Sequence, residues 1–116
     1  GALYILALIV FSQNPNSSGL SLIEEPELGL HPRILTSFVD QLRTFAESQQ
    51  VIMTTHSPTL LDSLAPEEVW VTTRDAQGYS TLTNMADYNE LDRWRDNFNT
   101  GEIWMNVAEA QLATTE

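Results

Sequence analysis

The spacing of apolar residues predicts two buried strands in the first half of the chain. The short apolar run Leu20–Ile23 is bounded by a glycine and by Pro26, which is typical of a buried strand. A second run, Val51–Thr55, is rich in apolar and β-branched residues and ends at His56. Pro26 cannot donate a ladder hydrogen bond, so the first strand is expected to end just before it.

The segment between these two strands has helical spacing. A helix is predicted over His31–Ser48 with Pro32 in its first turn. Its apolar stripe consists of Ile34, Leu35, Phe38, Leu42, Phe45 and Ala46. A strand, a helix and a strand at this spacing form a βαβ unit, whose parallel strands end at the same edge. Open α/β sheets bind their ligands at that edge.

Three carboxylates, Glu24, Glu25 and Glu27, follow the first predicted strand. Because successive strand side chains point to opposite faces, Glu24 and Glu25 are expected to have different tasks, one holding a metal and the other facing a water. Carboxylates this close repel one another, which raises their pKa unless a cation such as Mg²⁺ relieves them. Glu24, Glu25 and His56 are predicted to converge at the ligand-binding edge. The alternative interpretation is a solvated acidic turn beside a structural histidine.

A short helix and a β-hairpin are predicted in the second half. The helix covers Ser57–Leu64 and ends before a proline. The strand within Glu67–Arg74 leads through the turn Asp75–Gly78 into Tyr79–Thr83. Leu91, Trp94 and Phe98 then fall at helical spacing up to a stop near Gly101, and Ile103, Trp104 and Met105 open a last apolar segment that is interpreted as a helix covering the sheet edge.

Different expectations apply to the two ends of the chain. Ala2–Phe11 is apolar on all sides, too short to span a bilayer and without a preceding basic segment, so a buried helix is predicted there. Gln13–Gly19 is rich in turn residues, and the polar tail after Ala108 is expected to fray. The chain starts in the middle of an apolar segment, so we expect it to be the C-terminal portion of a longer protein.

Composition limits the possible functions. The formal net charge of −11, from 16 acidic against five basic residues, would repel a phosphate backbone, so nucleic-acid contacts are expected from other parts of the protein. The lack of cysteine excludes disulfides and thiolate metal sites and fits a cytoplasmic protein. A P-loop needs glycines and a lysine around the phosphates, and these 116 residues contain no lysine.

Three motifs in this order resemble those of an ABC-type AAA ATPase head. Leu22–Glu27 resembles the Walker B strand, Gly29–Pro32 the D-loop, and Thr55–Pro58 the loop of the switch histidine. The resemblance extends over residues 1–75 and is to the RecF-like, SMC-like and overcoming-lysogenisation-defect-like predicted ATPases rather than to membrane transporters. In this family the first acidic position is usually Asp, so Glu24 is a longer variant.

The resemblance implies a P-loop NTPase fold, an α/β three-layer sandwich. This chain would supply its C-terminal half, with parallel strands, a C-terminal β-hairpin and helices, and the Walker A part would lie elsewhere. Glu24 would hold Mg²⁺, Glu25 would act as general base or polarise the attacking water, and His56 would touch the γ-phosphate. Gly29 and His31 would bind nucleotide within a turn that reaches a second subunit.

The implied function is ATP hydrolysis by heads that form a homodimer around nucleotide. The setting would be DNA repair or defence, with DNA or an effector protein bound by other parts of the protein and no membrane partner. Relatives with a fused Toprim nuclease carry a Val-Glu-Gly strand and a later Asp-x-Asp near the hairpin, and neither occurs here. Two alternatives are a non-catalytic module that binds a basic partner, and a stand-alone metal-dependent hydrolase using Glu24, Glu25, Glu27 and His56.

Overall fold

The computed structural model describes residues 19–88 and 96–113, with the backbone alone for 107–113. The predicted helix Ala2–Phe11, nearly all of the loop that follows it, and Leu91 and Trp94 lie outside the described residues. The chain divides into two compact units, residues 1–60 and 61–116. Both units contain α-helix and β-strand, so the α/β class is confirmed at this level.

The first unit is built on the predicted pair of parallel strands. β1 (Leu20–Glu24) and β2 (Gln50–Thr54) are hydrogen-bonded neighbours, and Glu24 is paired with Thr54 in the last rung of the ladder. A parallel pair needs a crossover connection, which the intervening helix supplies. The βαβ prediction is therefore confirmed, and both strands end at the same edge.

Two 3₁₀ turns and a helix connect β1 to β2. The turns are Pro26–Gly29 and Pro32–Ile34, and α1 covers Leu35–Ala46. The predicted helix is thus correct in its central part, but its proline-containing first turn is 3₁₀ rather than α-helical. α1 lies against β2, and its buried stripe consists of Leu35, Phe38, Val39, Leu42 and Phe45.

One face of the β1–β2 pair carries large apolar side chains that are exposed. Partners in a strand pair share a face, so Leu22 and Ile52 lie side by side, and Leu20 lies two residues before Leu22 on that face. Leu22 is 71% exposed and Ile52 is 48% exposed. On the other face the Ser21 hydroxyl donates a buried hydrogen bond of 2.9 Å to Gln49 Oε1.

α2 (Pro58–Leu61) is a single helical turn at the boundary of the two units. It is shorter than the predicted helix Ser57–Leu64, since the chain leaves the helix in a turn closed by the Leu64 N–H and the Leu61 carbonyl at 2.9 Å. A 3₁₀ turn, Pro66–Glu68, then leads into the hairpin.

The hairpin of the second unit follows the prediction closely. β3 (Trp70–Arg74) and β4 (Ser80–Asn84) are antiparallel. Their turn is stabilised by the Asp75 carboxylate, which accepts hydrogen bonds from the backbone N–H groups of Gln77 and Tyr79. Another 3₁₀ turn, Met85–Asp87, follows β4.

The last helix, α3 (Thr100–Ala113), contains the apolar segment Ile103–Met105, so the helix predicted there is confirmed. Gly101 lies in its first turn, where Asn99 and Glu102 form a reciprocal capping box with two bonds of 3.0 Å. The helix also continues past Ala108, where the tail was expected to fray. The apolar core of this unit consists of Leu61, Val69, Val71, Met85 and Ile103.

Candidate functional site

The carboxyl ends of β1 and β2 are joined by the backbone of Glu25. Its N–H donates to the Thr54 carbonyl at 3.0 Å and also approaches the Thr54 hydroxyl oxygen at 3.3 Å. The parallel ladder therefore extends one residue past the end of β1. Glu25 is held at a fixed position relative to the last residue of the neighbouring strand.

Glu25 also has an unusual backbone conformation. With φ 41° and ψ 58° it is left-handed, and it is the only residue other than glycine with a positive φ in the described parts of the chain. Such a conformation costs roughly 1–3 kcal/mol for a residue with a Cβ and is found preferentially at functional sites. The chain therefore turns sharply at Glu25, where the predicted alternation of strand side chains ends.

The side chains of Glu25 and His56 face each other at this edge. Glu25 Oε1 lies 3.7 Å from His56 Nε2. The His56 side chain is 83% exposed and that of Glu25 is 34% exposed, so both are open to a ligand. The predicted convergence of these two residues is confirmed.

Glu27 points back into the protein and joins the two loops. Its Oε1 accepts a 2.6 Å hydrogen bond from the Thr55 hydroxyl and a 3.0 Å bond from the backbone N–H of His56. Thr55 Oγ1 in turn accepts from the N–H of Ser57 at 3.0 Å. The turn after β1 is thus tied through one carboxylate to the loop that carries His56.

The electrostatics of Glu27 differ from the expectation for a cluster of repelling carboxylates. Burial of the carboxylate raises its pKa. The hydrogen bond from Thr55, those from the backbone N–H groups of Glu27 and His56, and the nearby imidazole lower it and together outweigh this rise, so the net pKa lies below the ordinary value. For Glu27 the predicted rise in pKa is therefore wrong, because N–H and O–H donors stabilise its charge.

Glu27→Gln is expected to reduce the free energy of unfolding at neutral pH by about 1–2 kcal/mol, because the amide oxygen still accepts hydrogen bonds but lacks the charge that makes them stronger. A carboxylate with a lowered folded-state pKa stabilises the fold above its unfolded value, near 4.5, and this contribution is lost as the pH falls through the folded-state value. Urea unfolding of both proteins should therefore show a difference that shrinks on acidification. A difference that stays constant with pH, or that Glu47→Gln reproduces at an exposed position, would contradict this.

The other predicted site residues are Glu24, His31 and Gly29. Glu24 is exposed at the end of β1, opposite Thr54. The His31 imidazole caps the second 3₁₀ turn, where its Nδ1 accepts from the Arg33 N–H at 3.2 Å. A Cβ built on Gly29 would meet no atom within 4 Å, so packing within the described residues does not require glycine there.

Glu24 and Glu25 at this edge could contribute carboxylate ligands to a Mg²⁺ ion. They are oxygen donors, which Mg²⁺ prefers, and in nucleotide sites this ion uses one or two carboxylates together with waters and phosphate oxygens. Among the side chains described, those of residues 19–88 and 96–106, no group of three or more His, Cys, Asp or Glu residues is arranged to hold a metal. Glu24 and Glu25 thus offer oxygen donors of the kind that a Mg²⁺ ion shared with a nucleotide uses.

Sequence reasoning did not identify the threonines at the end of β2. Thr54 and Thr55 both contact the loop after β1, through Glu25 and Glu27 respectively. The signal that could have revealed them is a pair of hydroxyl residues directly before a histidine at the end of a strand. Such hydroxyls readily form hydrogen bonds with nearby backbone and carboxylate groups.

Two sequence comparisons with known proteins indicate the family of the chain. Residues 1–62, just over half of the chain, match the family described as "AAA domain, putative AbiEii toxin, Type IV TA system". A 68-residue segment is 37% identical to the Old nuclease of Escherichia phage P2, covering 58% of this chain and 12% of that nuclease. The chain thus spans only a small part of this relative.

The fold and the match define an AAA-type domain of the P-loop NTPase class. The chain belongs to this AAA domain family, as the resemblance of its motifs implied. Within the described residues, no helix is long and apolar enough to cross a membrane.

Proposed function

We propose that this chain forms the Walker B and switch-histidine part of an ATP-hydrolysing domain of the ABC type. The observation that carries the proposal is the placement of Glu25 and His56, which face each other at the carboxyl ends of two parallel strands. Ligands of open α/β sheets bind at this position. Phosphoryl transfer depends mainly on positioning and charge neutralisation, which such an edge can supply.

Each side chain would have a separate role in the reaction. Glu25 would accept a proton from the attacking water or polarise it, and it is held for this task by its backbone bond to Thr54. The exposed imidazole of His56 would donate a hydrogen bond to the γ-phosphate. Glu24 would hold Mg²⁺, which neutralises phosphate charge when bound.

The exposed face of β1 and β2 supports a larger fold around this half-site. Parallel sheets are usually covered on both faces, yet Leu20, Leu22 and Ile52 are exposed here. We propose that the P-loop half of the domain, supplied from outside these 116 residues, covers this face and completes a three-layer sandwich. The P-loop itself would provide the glycines and lysine that the chain lacks.

We propose that the turn Pro26–Gly29 meets a second subunit. Leu28 is 80% exposed, and the space around Gly29 is open. In the proposed homodimer, Gly29 and His31 would approach the nucleotide held by the partner head. The open position at Gly29 would let another backbone come close, which is a common use of glycine.

The biological setting is proposed from the comparisons. The description of the matching family mentions a "putative AbiEii toxin", and the relative named above is a phage nuclease. A defence or DNA-repair machine driven by ATP agrees with both names. Any DNA contact would come from other parts of the full protein, because this chain is strongly acidic.

The test is ATP binding and hydrolysis by the full-length protein beside the isolated 116 residues. We expect Mg²⁺-dependent turnover by the full-length protein, its loss when EDTA removes the metal, and no turnover by the isolated chain. A full-length protein that binds no ATP would refute the proposal and favour the interaction module. Turnover of phosphate esters by the isolated chain with Mg²⁺ would favour the metal-dependent hydrolase.

A further inference from the structure

Glu27 has a bonding pattern that the proposed roles of Glu24, Glu25 and His56 do not use. One oxygen, Oε1, accepts both the Thr55 hydroxyl and the His56 N–H. The other oxygen, Oε2, is buried and has no hydrogen-bond partner within the described residues. A carboxylate is thus partly removed from water in order to bond two consecutive residues of a loop, which is costly unless the bonds are strong.

The loop after β2 depends on these bonds for its position. The His56 side chain is 83% exposed, so packing does little to fix it. The backbone of the loop is tied instead by the Glu27 carboxylate at His56 and Thr55, and by the Thr55 hydroxyl at Ser57. Removing the carboxylate would free the backbone from which the imidazole projects.

We propose that Glu27 is a positioning residue that fixes His56 for its contact with the γ-phosphate. This inference rests on the proposed ATPase function and adds to it. Glu27 belongs to the turn Pro26–Gly29, so a movement of that turn changes the position of the histidine loop directly.

The experiment compares ATP hydrolysis by full-length wild type, Glu27→Ala and Thr55→Val. Glu27→Ala is expected to lower kcat by roughly 10²-fold, because a small misplacement of a positioned group has an effect of this size. Thr55→Val removes one of the two bonds to Glu27, and also the bond from the Ser57 N–H, at nearly constant volume. It should lower kcat by roughly 10- to 100-fold. ATP affinity is expected to stay within a fewfold of wild type in both variants.

Two controls separate positioning from general destabilisation. Thr55→Ser keeps the hydroxyl and should restore kcat to near the wild-type value, whereas Glu47→Ala removes an exposed glutamate at the end of α1 and should change nothing. The amide proton signal of His56 gives a readout that does not depend on turnover. It should move upfield in Glu27→Ala, because the bond to the carboxylate is lost.

The possible failures can be told apart. Wild-type kcat in Glu27→Ala, or an equal loss in Thr55→Ser and Thr55→Val, would overturn the inference while leaving the ATPase proposal intact. A fall in ATP affinity that matches the fall in kcat would also overturn it. If Glu27→Ala does not fold, the two Thr55 variants decide. No hydrolysis by the wild type would refute the proposed function itself, and the inference with it.

Discussion

Glu25→Gln is expected to slow ATP hydrolysis by roughly 10²–10⁴-fold, the range for loss of a positioned general base, and to leave ATP binding intact. Glutamine keeps the size of the side chain and the backbone bond to Thr54, but its amide cannot take a proton from water. The strained left-handed backbone is unchanged, since both residues carry the same Cβ. The variant therefore removes chemistry without removing structure.

Single-turnover hydrolysis and ATP affinity, measured on the full-length protein, test this prediction. Glu47→Gln is the matched control, because it makes the same change of charge at an exposed position outside the catalytic edge. Glu24→Gln is expected to weaken the dependence on Mg²⁺ instead, which separates the two neighbouring carboxylates. Unchanged turnover in Glu25→Gln would remove Glu25 from the mechanism.

The elements that position the site could be predicted from sequence because local patterns specify them. The two apolar runs and the helical stripe between them were sufficient to predict parallel strands with a common edge. The hairpin was equally readable, since an Asp-to-Gly turn separates two runs of β-forming residues. Such features depend on neighbours in the sequence, so no knowledge of tertiary contacts was needed.

The inward orientation of Glu27 could not be predicted in the same way. Its partners, Thr55 and His56, are 28 and 29 residues away in the chain, and the bonds exist only after the strands have paired. From sequence, the three glutamates appeared as one cluster that needs a cation. The structure separates them: Glu24 is exposed, Glu25 faces His56, and Glu27 Oε1 accepts hydrogen bonds from Thr55 and His56.

The start of α3 shows the opposite case, a local signal that was overlooked. Gly101 was interpreted as a stop, although Asn99 and Glu102 have the spacing of a capping box. Tertiary bonds then secure the glycine, whose N–H donates to the Asp62 carboxylate at 2.8 Å. A glycine inside a first turn is tolerated where capping and such bonds outweigh its low helix propensity.

His56→Ala is expected to reduce ATP turnover by roughly 10²–10³-fold, because this is the usual effect of removing one preorganised hydrogen-bond donor to a developing negative charge. Alanine removes the imidazole but retains the backbone N–H, so the bond to Glu27 persists and the loop remains in place. A loss of kcat would be assigned to the side chain if the amide proton at position 56 still shows the downfield signal of a hydrogen bond to Glu27. Turnover within a fewfold of wild type would exclude a γ-phosphate contact.

Combining this variant with Glu27→Ala tests the positioning role of Glu27 more sharply. If Glu27 acts only by placing the imidazole, Glu27→Ala has almost no further effect on kcat once the imidazole is gone, since residues that act as a unit are strongly non-additive. Independent roles would instead multiply the two losses. Glu25→Gln should behave differently, because Glu25 acts on the water and His56 on the γ-phosphate. The fall in kcat that Glu25→Gln causes should therefore persist in the His56→Ala background.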